Sequence, residues 1–150
     1  MNKKLRDILG YVIAFGVAFF ISTNVLFSYQ VNGSSMFPTL KDGDRGFALR
    51  TNLNLRKIER FNIVVVEIEN RFIVKRVIGL PGEKIEYRDN KLYVNDEYVE
   101  ENFLKDVITN DFAVTVEDGS YYCLGDNRSN SADSRVYGSF KKENIKAILF

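Results

Sequence analysis

The chain has 150 residues, enough for one domain with a workable core, and its 21 Lys and Arg nearly balance 20 Asp and Glu. That balance argues against a nucleic-acid partner, and 45% hydrophobic residues with 12 Phe and 8 Tyr argue for a packed globule rather than a disordered tail. The absence of histidine excludes a Ser-His-Asp triad, an HExxH helix and any His-ligated metal, and the lone Cys123 excludes an internal disulfide, a zinc ribbon and an iron–sulfur cluster. Any acid–base chemistry therefore falls to Lys, Asp, Glu or Tyr, and neither metal nor cofactor is expected.

The first predicted element is apolar. From Ile8 to Phe27 the chain runs uncharged for 20 residues, 14 of them Ala, Val, Ile, Leu or Phe. A helix of that length spans roughly 30 Å, the hydrocarbon thickness of a bilayer. A secretory h-region is shorter and exits through small residues, whereas this run leaves through Phe27-Ser28-Tyr29-Gln30. A buried core helix would carry a polar stripe, and only Ser22, Thr23 and Asn24 interrupt here. The run is thus predicted to be a permanent membrane anchor. Lys3, Lys4 and Arg6 precede it, so the positive-inside rule places residues 1–7 in the cytoplasm, a transmembrane helix over 8–28 and residues 29–150 outside. Without Lys3, Lys4, Arg6 and Asp7 the remainder holds 18 basic and 19 acidic residues, a near-neutral domain.

Beyond residue 30 the hydrophobic period is two. Strands are predicted over 61–68 and 72–78 around a Glu69-Asn70-Arg71 turn, and over 84–88 and 91–95 around Asp89-Asn90. Gly79-Leu80-Pro81-Gly82 carries turn chemistry between the two hairpins, and 120–124 and 145–150 read as further strands. No Gly-, Pro- or Ser-rich linker divides the region. The expected fold is mainly β, with one N-terminal transmembrane helix followed by a single antiparallel β-sheet or coiled-barrel domain.

Three segments stand out chemically. Val31 to Leu40 follows the anchor and contains Gly33-Ser34-Ser35-Met36, which on its own also reads as a small-residue linker. Lys75 lies within a strand and shares a face with Ile73 and Val77. If that face is core, desolvation disfavours the ammonium and lowers its pKa; otherwise the stem covers apolar surface and the head reaches water. Gly125 to Arg135 is dense in Asp, Asn and Ser. It fails as a calcium loop, because counting from Asp126 places Arg128 at position 3, Ser131 at position 6 and Tyr137 at position 12.

Together the anchor, Ser35-Met36-Phe37-Pro38-Thr39, Gly43-Asp44, Lys75-Arg76-Val77-Ile78-Gly79-Leu80-Pro81-Gly82 and the Gly125–Arg135 box resemble the bacterial type I signal peptidases. These are membrane-bound serine proteases that remove signal peptides from exported proteins with a Ser-Lys dyad. The resemblance implies Ser35 as nucleophile, Lys75 as general base and Ser131 as the hydroxyl orienting the base. It implies an oxyanion hole of main-chain N–H groups near Gly33 and Ser35, chiefly that of Ser35. It also implies structural ion pairs from Arg76, Asp126, Asp133 and Arg135. Gly33 replaces a serine found in some relatives, and Ser129 stands where an Asp is common. The 55 residues between Lys75 and Ser131 leave no room for a large second domain, so the compact, Gram-positive type is expected. The implied substrate is the signal peptide of a preprotein, with small residues at the first and third positions before the cut. Val31, Met36, Leu40 and Ile73 are the candidate substrate-binding residues, and the bilayer is the other expected partner.

The chain length supplies an independent argument. Eight residues link Phe27 to Ser35, which therefore lies within roughly 28 Å of the membrane exit. Sharing a plane with a membrane-borne substrate raises effective concentration. A soluble self-cleaving Ser-Lys peptidase conflicts with the anchor. A catalytically inert, tethered assembly chaperone would have lost the dyad, whereas Ser35, Lys75 and Ser131 are all present. Cys123 is expected to be a buried apolar residue rather than a reactive thiol.

Overall fold

β-Branched residues in alternating and continuous runs, punctuated by two-residue turns, lay out most of the chain. The computed structural model describes residues 2–105 and 107–150. An α-helix, α1 (Lys3–Phe20), continues through a π-helical turn at Ile21–Val25. Strands β1 (Leu26–Gln30), β2 (Arg45–Arg50), β3 (Ile63–Ile68), β4 (Arg71–Gly79), β5 (Lys84–Arg88), β6 (Lys91–Val94), β7 (Glu97–Val99), β8 (Phe112–Thr115) and β9 (Ser120–Leu124) follow. A short helix α2 (Ser134–Tyr137), β10 (Phe140–Lys141), a 3₁₀ turn (Lys142–Asn144) and β11 (Ile145–Leu149) complete the order.

The fold is mainly antiparallel β with one N-terminal apolar helix, as expected, and its strands divide into two sheets. The larger has the order β1-β2-β11-β3-β4-β9-β10 and the smaller β7-β6-β5-β8. β4 is the long element. Its pairing with β9 slips between Val77 and Gly79, and the turn beyond leads into β5 of the small sheet. At Gly79 a side chain has no space, since a Cβ would stand 2.7 Å from atoms of Ile85 and Val116. The β3–β4 and β5–β6 hairpins close through Glu69-Asn70 and Asp89-Asn90, all four with positive φ, as a type I′ turn requires.

The helix expected over 8–28 ends at Val25, and residues 26–28 belong to β1. The reason is pairing: Leu26 to Gln30 lie in register with Leu49 to Arg45 of β2. Apolar Leu26 and Phe27 continue the helix composition but serve the sheet. None of the α1 residues is buried.

Three clusters make the core. One packs Val64, Val66, Val77, Cys123 and Ile148, and a second fills the small sheet with Ile78, Ile85, Tyr87, Leu92 and Leu124. The third joins Ala48, Val65, Ala147 and Leu149, with Phe27, Tyr29, Leu40 and Val74 packed against it. Both faces of β4 are thus covered, Ile73 and Val77 by the first cluster and Val74 by the third. Lys75 projects on the Ile73–Val77 side.

Candidate active site

The site is assembled from three pieces of backbone. After β1 the chain turns at Gly33 (φ 93°) into a run of turns carrying Ser34 to Leu40, β4 supplies Lys75 and Arg76, and the loop after β9 supplies residues 125–135.

Lys75 is 3% exposed, and its Nζ lies 2.8 Å from Ser35 Oγ and 2.9 Å from the carbonyl oxygen of Val74. Burial lowers the Lys75 pKa, an effect that outweighs the opposing pull of the Asp133 carboxylate. A neutral amine has one lone pair and two N–H groups, so it can accept from the Ser35 hydroxyl while donating to Val74.

The third loop is laid directly on the serine segment. Asn127 donates its backbone N–H to the Ser35 carbonyl at 3.0 Å and its side-chain amide to the Ser34 carbonyl at 3.1 Å. Asn130 Nδ2 donates to Ser34 Oγ at 3.1 Å. Gly125 is required by this approach, because a Cβ there would sit 2.5 Å from the Ser35 carbonyl oxygen and collide with Ser131 Oγ. Ser131 Oγ is itself buried with no hydrogen-bond partner among the described residues. The expected contact between Ser131 and the lysine nitrogen is therefore not made: the amine reaches Ser35 and Val74 instead.

Gly33 departs from expectation in a related way. Its N–H donates to Asp42 Oδ1 at 2.7 Å and is not free for an oxyanion. Among the described residues the Ser35 N–H engages no acceptor and is available as a main-chain donor beside the nucleophile. Of the candidate substrate-binding residues, Val31 and Met36 are 4% and 1% exposed and present almost no surface, whereas Leu40 and Ile73 are half-buried.

Two ion pairs hold the frame, the first buried and the second half-buried at its arginine. Arg76 donates from Nε and Nη2 to the two oxygens of Asp126 at 2.8 and 2.6 Å, and Thr39 Oγ1 donates to the same carboxylate at 2.5 Å. Phe103 covers the Arg76 guanidinium, 3.9 Å from its ring centroid. Arg135 pairs with both oxygens of Asp133 at 2.9 and 2.8 Å, and Gly125 N–H donates to that carboxylate. Burial alone would raise the Asp133 pKa, but the donors from Arg135 and Gly125 hold it below the usual carboxylate range.

Sequence reasoning missed a third cluster. Arg128 is fully buried and donates to the Gly125 carbonyl, Tyr87 Oη, Thr109 Oγ1 and Glu101 Oε1, tying the serine-contacting loop to the small sheet. The only signal was an arginine inside the box, since its side-chain partners lie 19 to 41 residues away. Cys123 is buried, and burial pushes its thiol pKa up, as befits a packing residue. No cluster of metal-ligating side chains occurs among the described residues.

Known proteins resemble this chain in sequence and in fold. The family described as signal peptidase, peptidase S26, matches residues 5–149. The Bacillus subtilis protein named signal peptidase I V is 35% identical over 99% of this chain and 98% of its own length. Staphylococcus aureus signal peptidase IB is 35% identical over 97% of this chain and 87% of its own. A crystal structure of a signal peptidase I from Enterococcus faecalis superimposes with a TM-score of 0.59 at 36% identity, covering 63% of this chain and 98% of that one. Agreement in sequence over nearly the whole length, and in fold over 63% of it, places this chain in the signal peptidase family, peptidase S26.

Proposed function

We propose that the chain is a membrane-anchored signal peptidase that cleaves exported preproteins with Ser35 as nucleophile and neutral Lys75 as general base. Family membership makes it a serine endopeptidase acting on signal peptides. The observation that carries the finer reading is the 2.8 Å approach of a 3%-exposed lysine nitrogen to Ser35 Oγ.

A serine hydroxyl is a poor nucleophile until a base takes its proton, and an ordinary lysine is protonated near neutral pH. Desolvation of Lys75 shifts the balance toward the free amine. The amine then accepts the Ser35 proton as Oγ attacks the scissile carbonyl, and the Ser35 N–H stands beside the developing oxyanion. Protonated Lys75 returns the proton to the leaving amine. The acyl-enzyme is released by water, which Lys75 deprotonates in turn. Ser131, whose buried hydroxyl has no hydrogen-bond partner among the described residues, is a group that can hold the amine once Ser35 is acylated. Substrate binds as an added strand with small residues at the first and third positions before the cut, beside Leu40 and Ile73. Val31 and Met36 back those positions from within.

The apolar helix over Lys3–Val25 is long enough to cross a bilayer and no part of it is buried in the protein. With Lys3, Lys4 and Arg6 before it, the reading is a single-pass anchor with the N-terminus cytoplasmic and the peptidase domain outside.

The test is cleavage of a preprotein carrying an Ala-x-Ala site by the full-length protein in detergent. Ser35→Ala and Lys75→Ala are each expected to lower kcat/KM by at least about a thousandfold with folding intact. Lys75→Arg is expected to be equally inactive, because guanidinium stays protonated. Retention of most activity by Lys75→Ala would falsify the dyad.

A further inference from the structure

A groove of about 580 Å³ opens beside β1, lined by Phe27, Arg50, Phe72, Lys142, Glu143 and Lys146 among others. An adjoining one of about 340 Å³ shares Lys142 and adds Arg56 and Lys57. Five basic side chains thus face two adjoining hollows that hold one carboxylate, Glu143, in a domain whose charges nearly cancel overall. Of these five, only Lys146 has an acidic partner among the described residues, Glu67 at 2.8 Å. Arg50 and Arg56 are held by main-chain carbonyls, of Leu26 and Leu149, which orient their guanidinium groups without neutralising them.

The walls are apolar as well as cationic. Phe27 and Phe72 meet edge to face at 5.3 Å, and Arg50 lies over the Phe27 ring. Phe72 is 54% exposed, and Leu53 and Leu55 on the neighbouring loop are 40% and 58% exposed. Phe27 stands two residues past the helix end at Val25, roughly 7 Å along an extended chain. A site there, given the anchor, opens at headgroup depth.

We propose that this groove binds the phosphodiester headgroup of an anionic phospholipid, and so docks the peptidase domain on the outer surface of the membrane that holds its helix. The uncompensated cations take the phosphate, and Phe72, Leu53 and Leu55 enter the interfacial layer. Neither Ser35 nor Lys75 lines the groove. The inference rests on the anchor reading above and adds a lipid preference to it.

The test uses the full chain in nanodiscs, with an environment-sensitive fluorophore on Asn52→Cys, a groove position; buried Cys123 does not compete for the label. Discs of phosphatidylcholine are compared with discs containing one third phosphatidylglycerol. The emission is expected to shift blue only in the anionic discs. Arg56→Glu/Lys57→Glu/Lys142→Glu is expected to abolish the shift while preserving Tm and cleavage of a short soluble peptide. Each basic charge at an anionic surface is worth about a fivefold change in the docked-to-undocked ratio. Identical emission in both lipids overturns the proposal, as does a shift that survives the triple charge reversal. A shift produced in neutral discs by soluble poly(glycerol phosphate) overturns it in favour of a wall-polymer site. Flotation of the chain with vesicles is scored separately: floating without a lipid-dependent shift sinks the groove alone, whereas failure to float sinks the anchor and the groove with it.

Discussion

The amine of Lys75 sets two parallel trends at the scale of single residues. Its pKa is lowered from 10.5 by burial, so below the depressed value the folded protein must hold a desolvated ammonium that the unfolded chain keeps in water. The unfolded state binds the extra proton across the window from that depressed value up to 10.5, and stability rises with pH there. In the proposed dyad activity has the same sign, because only a free amine can accept the Ser35 proton: kcat/KM is expected to climb with pH and level off once Lys75 is neutral. Lys75→Met, similar in length and without charge, is expected to be inactive yet to melt at a higher temperature near pH 7, with a Tm that no longer follows pH through this window. A Tm below wild type would show that the lysine is not a strained group. Asp126 makes the contrasting case. It is wholly buried and answers both nitrogens of Arg76, so Asp126→Ala leaves a guanidinium without its counter-charge and is expected to cost about 3–5 kcal/mol in urea unfolding. The burial of Lys75 was one of two readings its strand pattern left open, and its place beside Ser35 was implied by the resemblance alone. The geometry of Ser131 and Gly33 was not legible, since it depends on which donor or acceptor happens to stand opposite in space.

At the scale of elements, the hairpins were legible and the long-range strands were not. β5 and β9 have the bounds the pattern predicts, and β3, β4, β6 and β11 differ by a residue or two at their ends, because β-branched alternation and paired turn residues act locally. β2, β7, β8 and β10 were missed: each is short or polar on one side, and each exists because a neighbour offers hydrogen bonds. β1 was mistaken for helix because hydropathy records solvent preference and not hydrogen-bond partners. The same locality hides the reason for Gly125, whose neighbours are Ser35 and Ser131 rather than anything adjacent in the chain. Gly125→Ala forces the Ser35 carbonyl and the Asn127 hydrogen bond apart. A shift of about 1 Å at a nucleophile can cost on the order of a hundredfold in rate, so this substitution is expected to lower kcat by about that factor with KM little changed. Wild-type kcat in Gly125→Ala would mean that the loop does not position the serine.

The whole molecule couples a helix to a β-domain through β1, which begins one residue after the helix ends and is already an edge of the large sheet. No flexible linker intervenes, so the place where the helix stops also fixes how the domain stands. This junction predicts different outcomes for two truncations. A chain starting at Leu26 keeps β1, its full register with β2 and the packing of Phe27 and Tyr29 on the core. It is expected to fold and to cleave short soluble peptides at the full-length rate. Against a preprotein in a bilayer it loses the advantage of sharing a plane, and kcat/KM is expected to fall by about 10²–10⁴-fold. A chain starting at Val31 instead exposes the β2 edge and uncovers the apolar surface under Phe27 and Tyr29, and is expected to aggregate or unfold at lower urea. Measuring both rates for the two truncations beside the full chain separates the contributions. Equal rates of the Leu26 truncation and the full chain on bilayer-embedded preprotein would mean that the helix does no more than hold the protein in place.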